Sequence, residues 1–396
     1  MKIVILGAGY AGVTAALRLA RTSSGKADVT LVSRDARFVE RIRLHEHAAG
    51  RSPKARPIAS LLRGSRASFV VGDVAAVDTA ARTVTLDDGR SLAWDRLVLA
   101  LGSRPDMTAP GAEEHALALD GRGAAELVGR LPELARRRGR VVVVGGGLTG
   151  VEAAAELAEA WPDLRVTLLT RGAVGAGFSR AAREHMVRSL ERLGVEVVTN
   201  VSVRELEHDR VVTIDGSVVF DACVWAVGFV AAPLPAGLSL AASARGQVLV
   251  DAFLASVSDP NVYVAGDLAV HARPPAIAVP MGCKSAGPSG AHVADNLVRD
   301  IASRPRVAFD YAAPGYCVSL GRRDGVIQLT RADGALEGAV VRGRLAAWIK
   351  EIVCKSTIAM FRLERYGLSS YAAFRAGNVA PALEAPRTVE PGALGS

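Results

Sequence analysis

Two short runs carry the strongest chemical signal in the chain. Gly7-Ala8-Gly9-Tyr10-Ala11-Gly12 and Gly145-Gly146-Gly147-Leu148-Thr149-Gly150 share the spacing G-x-G-x-x-G. The first glycine of such a run permits a sharp strand-to-helix turn, the second leaves the backbone bare for a pyrophosphate, and the third lets helix and strand pack closely. The phosphates then rest on unpaired N–H groups at the helix N-terminus, where the helix dipole favours negative charge. One such run is as consistent with a plain structural turn. Two runs, each between an apolar strand and a helix, point to two bound dinucleotides. A third signal, Asn261-Val262-Tyr263-Val264-Ala265-Gly266-Asp267, ends an apolar strand in Gly-Asp. It sets a carboxylate at the edge of a sheet where ligands bind; the alternative is a simple strand end.

The elements that hold these runs are written twice. Lys2-Ile3-Val4-Ile5-Leu6 and Arg140-Val141-Val142-Val143-Val144 precede the glycines, and helices follow through Arg21 and about Ala160. A second strand, Val29-Thr30-Leu31-Val32, matches Val166-Thr167-Leu168-Leu169. A β-meander turning at Asp87-Asp88-Gly89 matches one turning at Asp215-Gly216. Each half closes on a buried strand ending in glycine, Leu97 to Gly102 with Ala100 near its end, and Val224 to Gly228. Continuous apolar strands alternating with amphipathic helices call for parallel sheets covered on both faces. The fold class expected is therefore α/β, with two Rossmann-like units, their β-meanders and a smaller C-terminal α+β region. That last region begins near Pro305, has strands at Cys317-Val318-Ser319-Leu320 and Val326-Ile327-Gln328-Leu329, and ends in a helix from about Arg344 to Arg365.

Composition excludes more than it suggests. The chain has 396 residues, 50% apolar and 22% charged, with formal net charge +8. No segment concentrates lysine and arginine and no nucleic-acid-binding motif is present, so no nucleic acid is expected as a partner. No charged leader precedes the first strand, and no apolar run approaches the ~20 residues that cross a bilayer. The cysteines Cys223, Cys283, Cys317 and Cys354 form no close pair of the kind used by metal ligands or a redox disulfide. A cytoplasmic setting follows, and no metal site.

The three signals in this order resemble the two-dinucleotide-binding-domain flavoproteins, the pyridine nucleotide-disulfide oxidoreductase superfamily. The resemblance is strong over about residues 1 to 310 and weaker from 311 to 366. It implies FAD on the first cradle, NADPH or NADH on the second, and a carboxylate at Asp267 for the flavin ribityl chain. Carried onto this chain, the FAD contacts are Gly7, Gly9, Tyr10, Ala11 and Gly12, then Ser33, Arg34, Arg41 and Val74, then Ala100, Gly102, Gly266, Asp267 and Ser289. The nicotinamide contacts are Gly145, Gly147, Leu148, Thr149, Gly150, Thr170, Arg171 and Gly228. The implied domains are 1–111 with 240–310 for FAD, 112–239 for NAD(P)H, 311–376 as a C-terminal region with an amphipathic helix, and 377–396 as a disordered tail.

Within that superfamily, disulfide reductases carry cysteine in the helix after the first βαβ turn. Here the stretch is Phe38-Val39-Glu40-Arg41-Ile42-Arg43-Leu44-His45-Glu46-His47, without one. The stretch and Ala48-Ala49-Gly50 after it, with Gly147-Leu148-Thr149-Gly150-Val151-Glu152, resemble type II NADH dehydrogenases. This implies hydride transfer from NAD(P)H to FAD and then directly to a quinone-like acceptor. Glu152 becomes the candidate catalytic carboxylate; a solvated or capping glutamate is the alternative. By the same resemblance a helix opening near Pro288 points its N-terminus at the flavin pyrimidine edge, where Lys284 adds positive charge, or else lies at the surface. Cys283 reads as a small buried hydrophobe rather than a reactive thiol, and His45 and His47 as polar residues of a surface helix, with proton donation to an acceptor as the alternative.

Two departures stand out. The second strands end in Ser33-Arg34-Asp35 and Thr170-Arg171, without the usual ribose-gripping carboxylate. The second, with Arg180 beyond it, favours a 2′-phosphate and hence NADPH. The C-terminal helix has apolar residues at Leu345, Trp348, Ile349, Ile352, Val353, Ala359 and Phe361, interrupted by Lys350, Glu351 and Lys355. Packing on the flavin domain or in a homodimer is the first reading; in type II NADH dehydrogenases this region is a membrane anchor, which implies peripheral contact at the inner face of the membrane as the alternative. Rival activities are reduction of a ferredoxin-like protein, a small-molecule tailoring reaction, and redox sensing of the apoptosis-inducing-factor type.

Overall fold

The computed structural model describes residues 1–51, 55–273, 279–331, 335–336, 338–369 and 371; the expected tail at 377–396 lies outside them. In chain order the elements that matter are β1 (Lys2–Leu6), α1 (Tyr10–Thr22), β2 (Asp28–Ser33), α2 (Leu44–Ala48), β3 (Ser68–Val71) and β4 (Arg96–Leu99). There follow β5 (Leu117–Ala118), α3 (Gly121–Arg136), β6 (Arg140–Val144), α4 (Leu148–Ala160), β7 (Arg165–Leu169), α5 (Arg180–Arg192), β8 (Glu196–Val198) and β9 (Ala222–Trp225). Last come β10 (Val262–Val264), α6 (Cys283–Ile301), β11 (Gly315–Ser319), β12 (Gly325–Leu329), β13 (Val340–Arg342) and α7 (Arg344–Tyr366).

Two parallel sheets form the body. Their strand orders are β10-β4-β1-β2-β3 and β5-β9-β6-β7-β8. The duplication extends to register: Lys2 to Leu6 pair with Asp28 to Val32, and Arg140 to Val144 pair with Arg165 to Leu169, without a slip in either. Central strands of this kind must bury both faces. On β6 they do so by alternation, Val141 and Val143 packing into one core and Val142 and Val144 into another. Each unit carries a three-stranded antiparallel meander, Val74–Asp78 with Thr83–Leu86 and Ser91–Ala93 in the first, Val203–Leu206 with Arg210–Thr213 and Gly216–Val219 in the second. An antiparallel ribbon of Ser103–Pro105 against Phe229–Ala231 ties the two closing strands together.

The chain then returns to the first sheet, where β10 pairs with β4 (Val262 with Leu97). From its end α6 crosses α1 at Gly290, where a Cβ would lie 2.2 Å from the Ala11 carbonyl oxygen. The helix starts at Cys283, earlier than the expected opening near Pro288, which lies inside it. Proline normally marks a first turn; here the helix continues past it and forgoes one bond to the Lys284 carbonyl. β11, β12 and β13 form a small antiparallel sheet, and α7 packs on it and on α1. Glu364 of α7, fully buried, takes both oxygens to Arg18 of α1 at 2.8 and 2.9 Å.

Candidate functional site

The two cradles are the same object in steric detail. Gly7 and Gly145 have φ of +102° and +123°, and a Cβ at either would sit 2.4 or 2.5 Å from a backbone oxygen, that of Ala100 or Ala226. A Cβ at Gly12 would lie 1.8 Å from the Gly7 oxygen, and one at Gly150 1.9 Å from the Gly145 oxygen. Gly9 and Gly147 differ from these: nothing lies within 4 Å of a Cβ there. Both cap helices that have no capping side chain and no acid in the first turn. Open space beside unsatisfied N–H donors is what a pyrophosphate needs. The outer ends of the cradles differ. Arg34 pairs with Asp73 at 2.8 Å, next to Val74 and near Ser33. Thr170 is buried against Gly146, while Arg171 is exposed.

The Gly-Asp strand end is fixed from three sides. Asp267 accepts from Ser103 Oγ at 2.6 Å and from the Gly282 N–H at 2.7 Å, and the Gly266 N–H donates to Ser289 Oγ at 2.9 Å. Arg41 donates to the Ser103 carbonyl at 2.7 Å and lies over Phe229. Gly102 and Gly228, both at positive φ, flank the connecting ribbon. Asp267, Ser289, Ser103 and Arg41 are thus brought together where β4 and β10 end. In the first turn of α6, Lys284 has its Nζ buried over the Tyr316 ring with no hydrogen-bond partner among the described residues. Burial pushes its pKa down to about 7. An orphaned buried amine suits a ligand rich in carbonyl oxygens and developing negative charge, which the flavin pyrimidine edge supplies. The residues present therefore fit both dinucleotides.

Glu152 is neither solvated nor a simple cap. It is buried, accepts from the Ser319 N–H at 2.9 Å, lies 3.0 Å from Lys350 Nζ and 3.5 Å from His45 Nδ1. Burial opposes its ionisation, but the Lys350 ammonium, His45 and the Ser319 N–H together outweigh burial and hold the carboxyl below its ordinary range. Burial also lowers His45, which is therefore neutral at pH 7. His45 was expected on a surface helix; α2 instead packs between α3 and α4 and buries it. Lys350, which interrupts the apolar pattern of α7, points inward for the same electrostatic reason.

Glu152 heads a row of three acids on α4. Glu156 meets Arg322 and Arg51, and Glu159 takes Arg51 at 2.8 Å and the Arg322 N–H at 3.0 Å. Glu156 is fully buried, and its desolvation pushes its pKa up to about 7. Arg43 joins the group, donating to Glu46 at 2.7 Å and to both oxygens of Glu351 at 2.9 and 3.0 Å. This charged seam joins the first unit, the second and the C-terminal region. Sequence reading missed it, although the spacing of Glu152, Glu156 and Glu159 at i, i+4 and i+7 was there to see.

A family model for pyridine nucleotide-disulphide oxidoreductases matches residues 1–295. The chain is 32% identical over 331 residues to an NADH dehydrogenase-like protein of Mycobacterium tuberculosis, covering 78% of this chain and 82% of that one. It is 28% identical over 405 residues to a type II NADH:quinone oxidoreductase of Staphylococcus aureus, covering 93% and 97%. Among solved structures, the sulfide:quinone oxidoreductase of Aquifex aeolicus superposes with TM-score 0.78 at 22% identity, covering 93% of each chain. NDH2 of Plasmodium falciparum in complex with NADH gives 0.77 at 15%, covering 93% and 98%. At those identities the structures speak for the fold. With the duplicated cradles and the extent of the sequence match, the chain belongs to the pyridine nucleotide-disulphide oxidoreductase family, as an NAD(P)H-dependent flavoprotein oxidoreductase.

Proposed function

We propose that the chain is an FAD-dependent NAD(P)H dehydrogenase that delivers electrons directly to a quinone-like small molecule. The duplicated cradle carries this reading, and the relatives' names support the acceptor. The division into an FAD unit (1–111 with 240–310), an NAD(P)H unit (112–239) and a C-terminal region (311–376) belongs to the same proposal. When bound, FAD supplies two-electron chemistry between the nicotinamide and the acceptor. The chain supplies position and charge. Gly7, Gly9 and Gly12 hold the flavin pyrophosphate at the start of α1, Asp267 accepts from the ribityl hydroxyls, and Ser33, Arg34 and Val74 line the adenosine end. Gly145, Gly147, Leu148, Thr149 and Gly150 do the same for the nicotinamide dinucleotide. Lys284 offers a proton or a positive charge at the pyrimidine edge, and Glu152 acts where flavin and nicotinamide meet. Arg171 has no ion-pair partner among the described residues, whereas Arg180 is taken by Glu184 at 2.7 Å. Arg171 is then left for a 2′-phosphate.

Anaerobic titration tests these points together. NADPH and NADH both bleach the flavin absorbance, NADPH has the modestly higher kcat/KM, and a soluble quinone analogue restores the oxidised spectrum. A flavin that bleaches but is not reoxidised by quinone rejects the acceptor; a clearly better kcat/KM with NADH rejects the role of Arg171.

The outer face of α7 supports peripheral membrane contact. No helix among the described residues is long and apolar enough to cross a membrane. Yet Leu345, Trp348, Ile352, Leu363 and Tyr366 form one exposed stripe, with Trp348 64% and Tyr366 70% exposed. Arg342, Arg344, Lys355 and Arg362 flank it, the pattern of a helix lying on an anionic lipid surface. Trp348→Glu with Ile352→Glu is expected to abolish co-sedimentation with anionic liposomes; unchanged co-sedimentation rejects the stripe as the anchor.

A further inference from the structure

The structure assigns a second binding site, for a phosphate-bearing anion, to an arginine-lined cavity of about 750 Å³ beside the start of α7. The cavity is bounded by Arg51, the end of α4, α5, the β11–β12 turn and Gly343-Arg344. It is not part of the nicotinamide cradle: Glu159 on its wall is twelve residues beyond Gly147, about 18 Å along α4 at the helical rise.

Five arginines line it, Arg51, Arg192, Arg322, Arg323 and Arg344, against two carboxylates, Glu159 and Asp324. Both carboxylates are already committed. Glu159 accepts from Arg51 and the Arg322 N–H, as described above. Asp324 accepts from Ser189 Oγ at 2.6 Å, His185 Nε2 at 2.8 Å, the Gly325 N–H at 2.7 Å and Arg192. Arg323 and Arg344 are left with no hydrogen bond or ion pair among the described residues. Arg51 and Arg322 are balanced by Glu156 and Glu159, and Arg192 by Asp324, so Arg323 and Arg344 bring two uncompensated charges to one cavity. Like charges without counter-charge repel, and the cavity favours an anion. The ligand class follows from the groups: guanidinium forks from several directions match the tetrahedral, multiply charged oxygens of a phosphate better than a single carboxylate. The phosphate comes from a soluble phosphorylated compound or from a lipid headgroup, since the exposed Leu345 and Trp348 lie within one turn of Arg344.

The test uses the full chain with FAD bound and the second cradle saturated with NADP⁺, so that pyrophosphate cannot report the cradles. Calorimetric titration is run with pyrophosphate, and separately with phosphatidylcholine vesicles with and without phosphatidic acid. The comparison is Arg323→Gln, a position that holds no internal side-chain partner among the described residues, lies outside the nucleotide cradles and is not one of the basic residues flanking the α7 stripe. Binding is expected to weaken by about tenfold with this guanidinium removed, with kcat/KM for the nicotinamide substrate unchanged. Pyrophosphate binding that the variant loses identifies a soluble ligand. A phosphatidic-acid-dependent increment that the variant loses, without pyrophosphate binding, identifies a headgroup. The inference is overturned if neither probe binds the unsubstituted protein, or if Arg323→Gln binds as tightly.

Discussion

Gly150→Ala is expected to leave the flavin bound and to abolish its reduction by NAD(P)H, whereas Gly12→Ala yields a chain without flavin. The added methyl would stand 1.9 Å from the Gly145 oxygen in the first case and 1.8 Å from the Gly7 oxygen in the second. Neither obstacle is a flexible side chain, so strand and helix must part. Overpacking commonly costs about 1–3 kcal/mol, and a backbone carbonyl at this distance places the substitution at the upper end. That corresponds to about a hundredfold in binding, concentrated at the turn that seats the phosphates. Gly9→Ala or Gly147→Ala should fold normally, because each Cβ meets nothing within 4 Å; any loss there reports the ligand alone. Flavin content after purification and the single-turnover rate of flavin bleaching separate the two cradles. A Gly150→Ala protein reduced at the unsubstituted rate would falsify the assignment of the second cradle.

The second large effect comes from the buried pair of Glu152 and Lys350. Their side chains are 11% and 8% exposed and 3.0 Å apart. Lys350→Met leaves a carboxylate in a space closed to water, and breaking a buried pair from one side costs about 3–5 kcal/mol. The pH dependence has a definite sign. Lys350 holds Glu152 below its unfolded pKa, so that contribution is present above the ordinary carboxylate pKa and disappears as pH falls through the folded value. Glu152, chiefly against the opposing effect of burial, raises Lys350, whose contribution is present below the ordinary lysine pKa and disappears as pH rises through its folded value. The pair therefore supports the fold across neutral pH and weakens towards both extremes. In Lys350→Met the remaining carboxyl is governed by burial and takes up a proton more readily. The stability deficit should thus shrink on acidification, and Glu152→Gln added to Lys350→Met should restore part of it at pH 7. Denaturant unfolding at several pH values checks this; a deficit that does not change with pH would mean the pair carries no buried charge.

What could be read in the sequence was what is local. Both glycine turns, their strands, the meanders and the Gly266-Asp267 strand end follow from periodicity and residue type within ten or so positions, and all occur where expected. The start of α6 was misplaced because proline marks first turns on average and not at Pro288. The charged seam was not legible. Lys350 faces Glu152 at a sequence separation of 198, and Arg43 reaches Glu351 at one of 308. In sequence a lysine breaking an apolar stripe reads as a surface residue; only the partner decides otherwise. His45 went the same way, since burial depends on α3 and α4 closing over α2.

The late arrival of β10 bears on how the chain is made. The second sheet has all its strands by Trp225, in one uninterrupted stretch, while the first waits for residues 262–264. During translation the middle unit can close on itself while the outer edge of β4 still lacks its neighbour. An unpaired apolar edge is a template for stray association, and distant strand pairing is slow. Synthesis of this protein therefore passes through a species with the second unit finished and the first still open, the stage at which chaperones have most to protect.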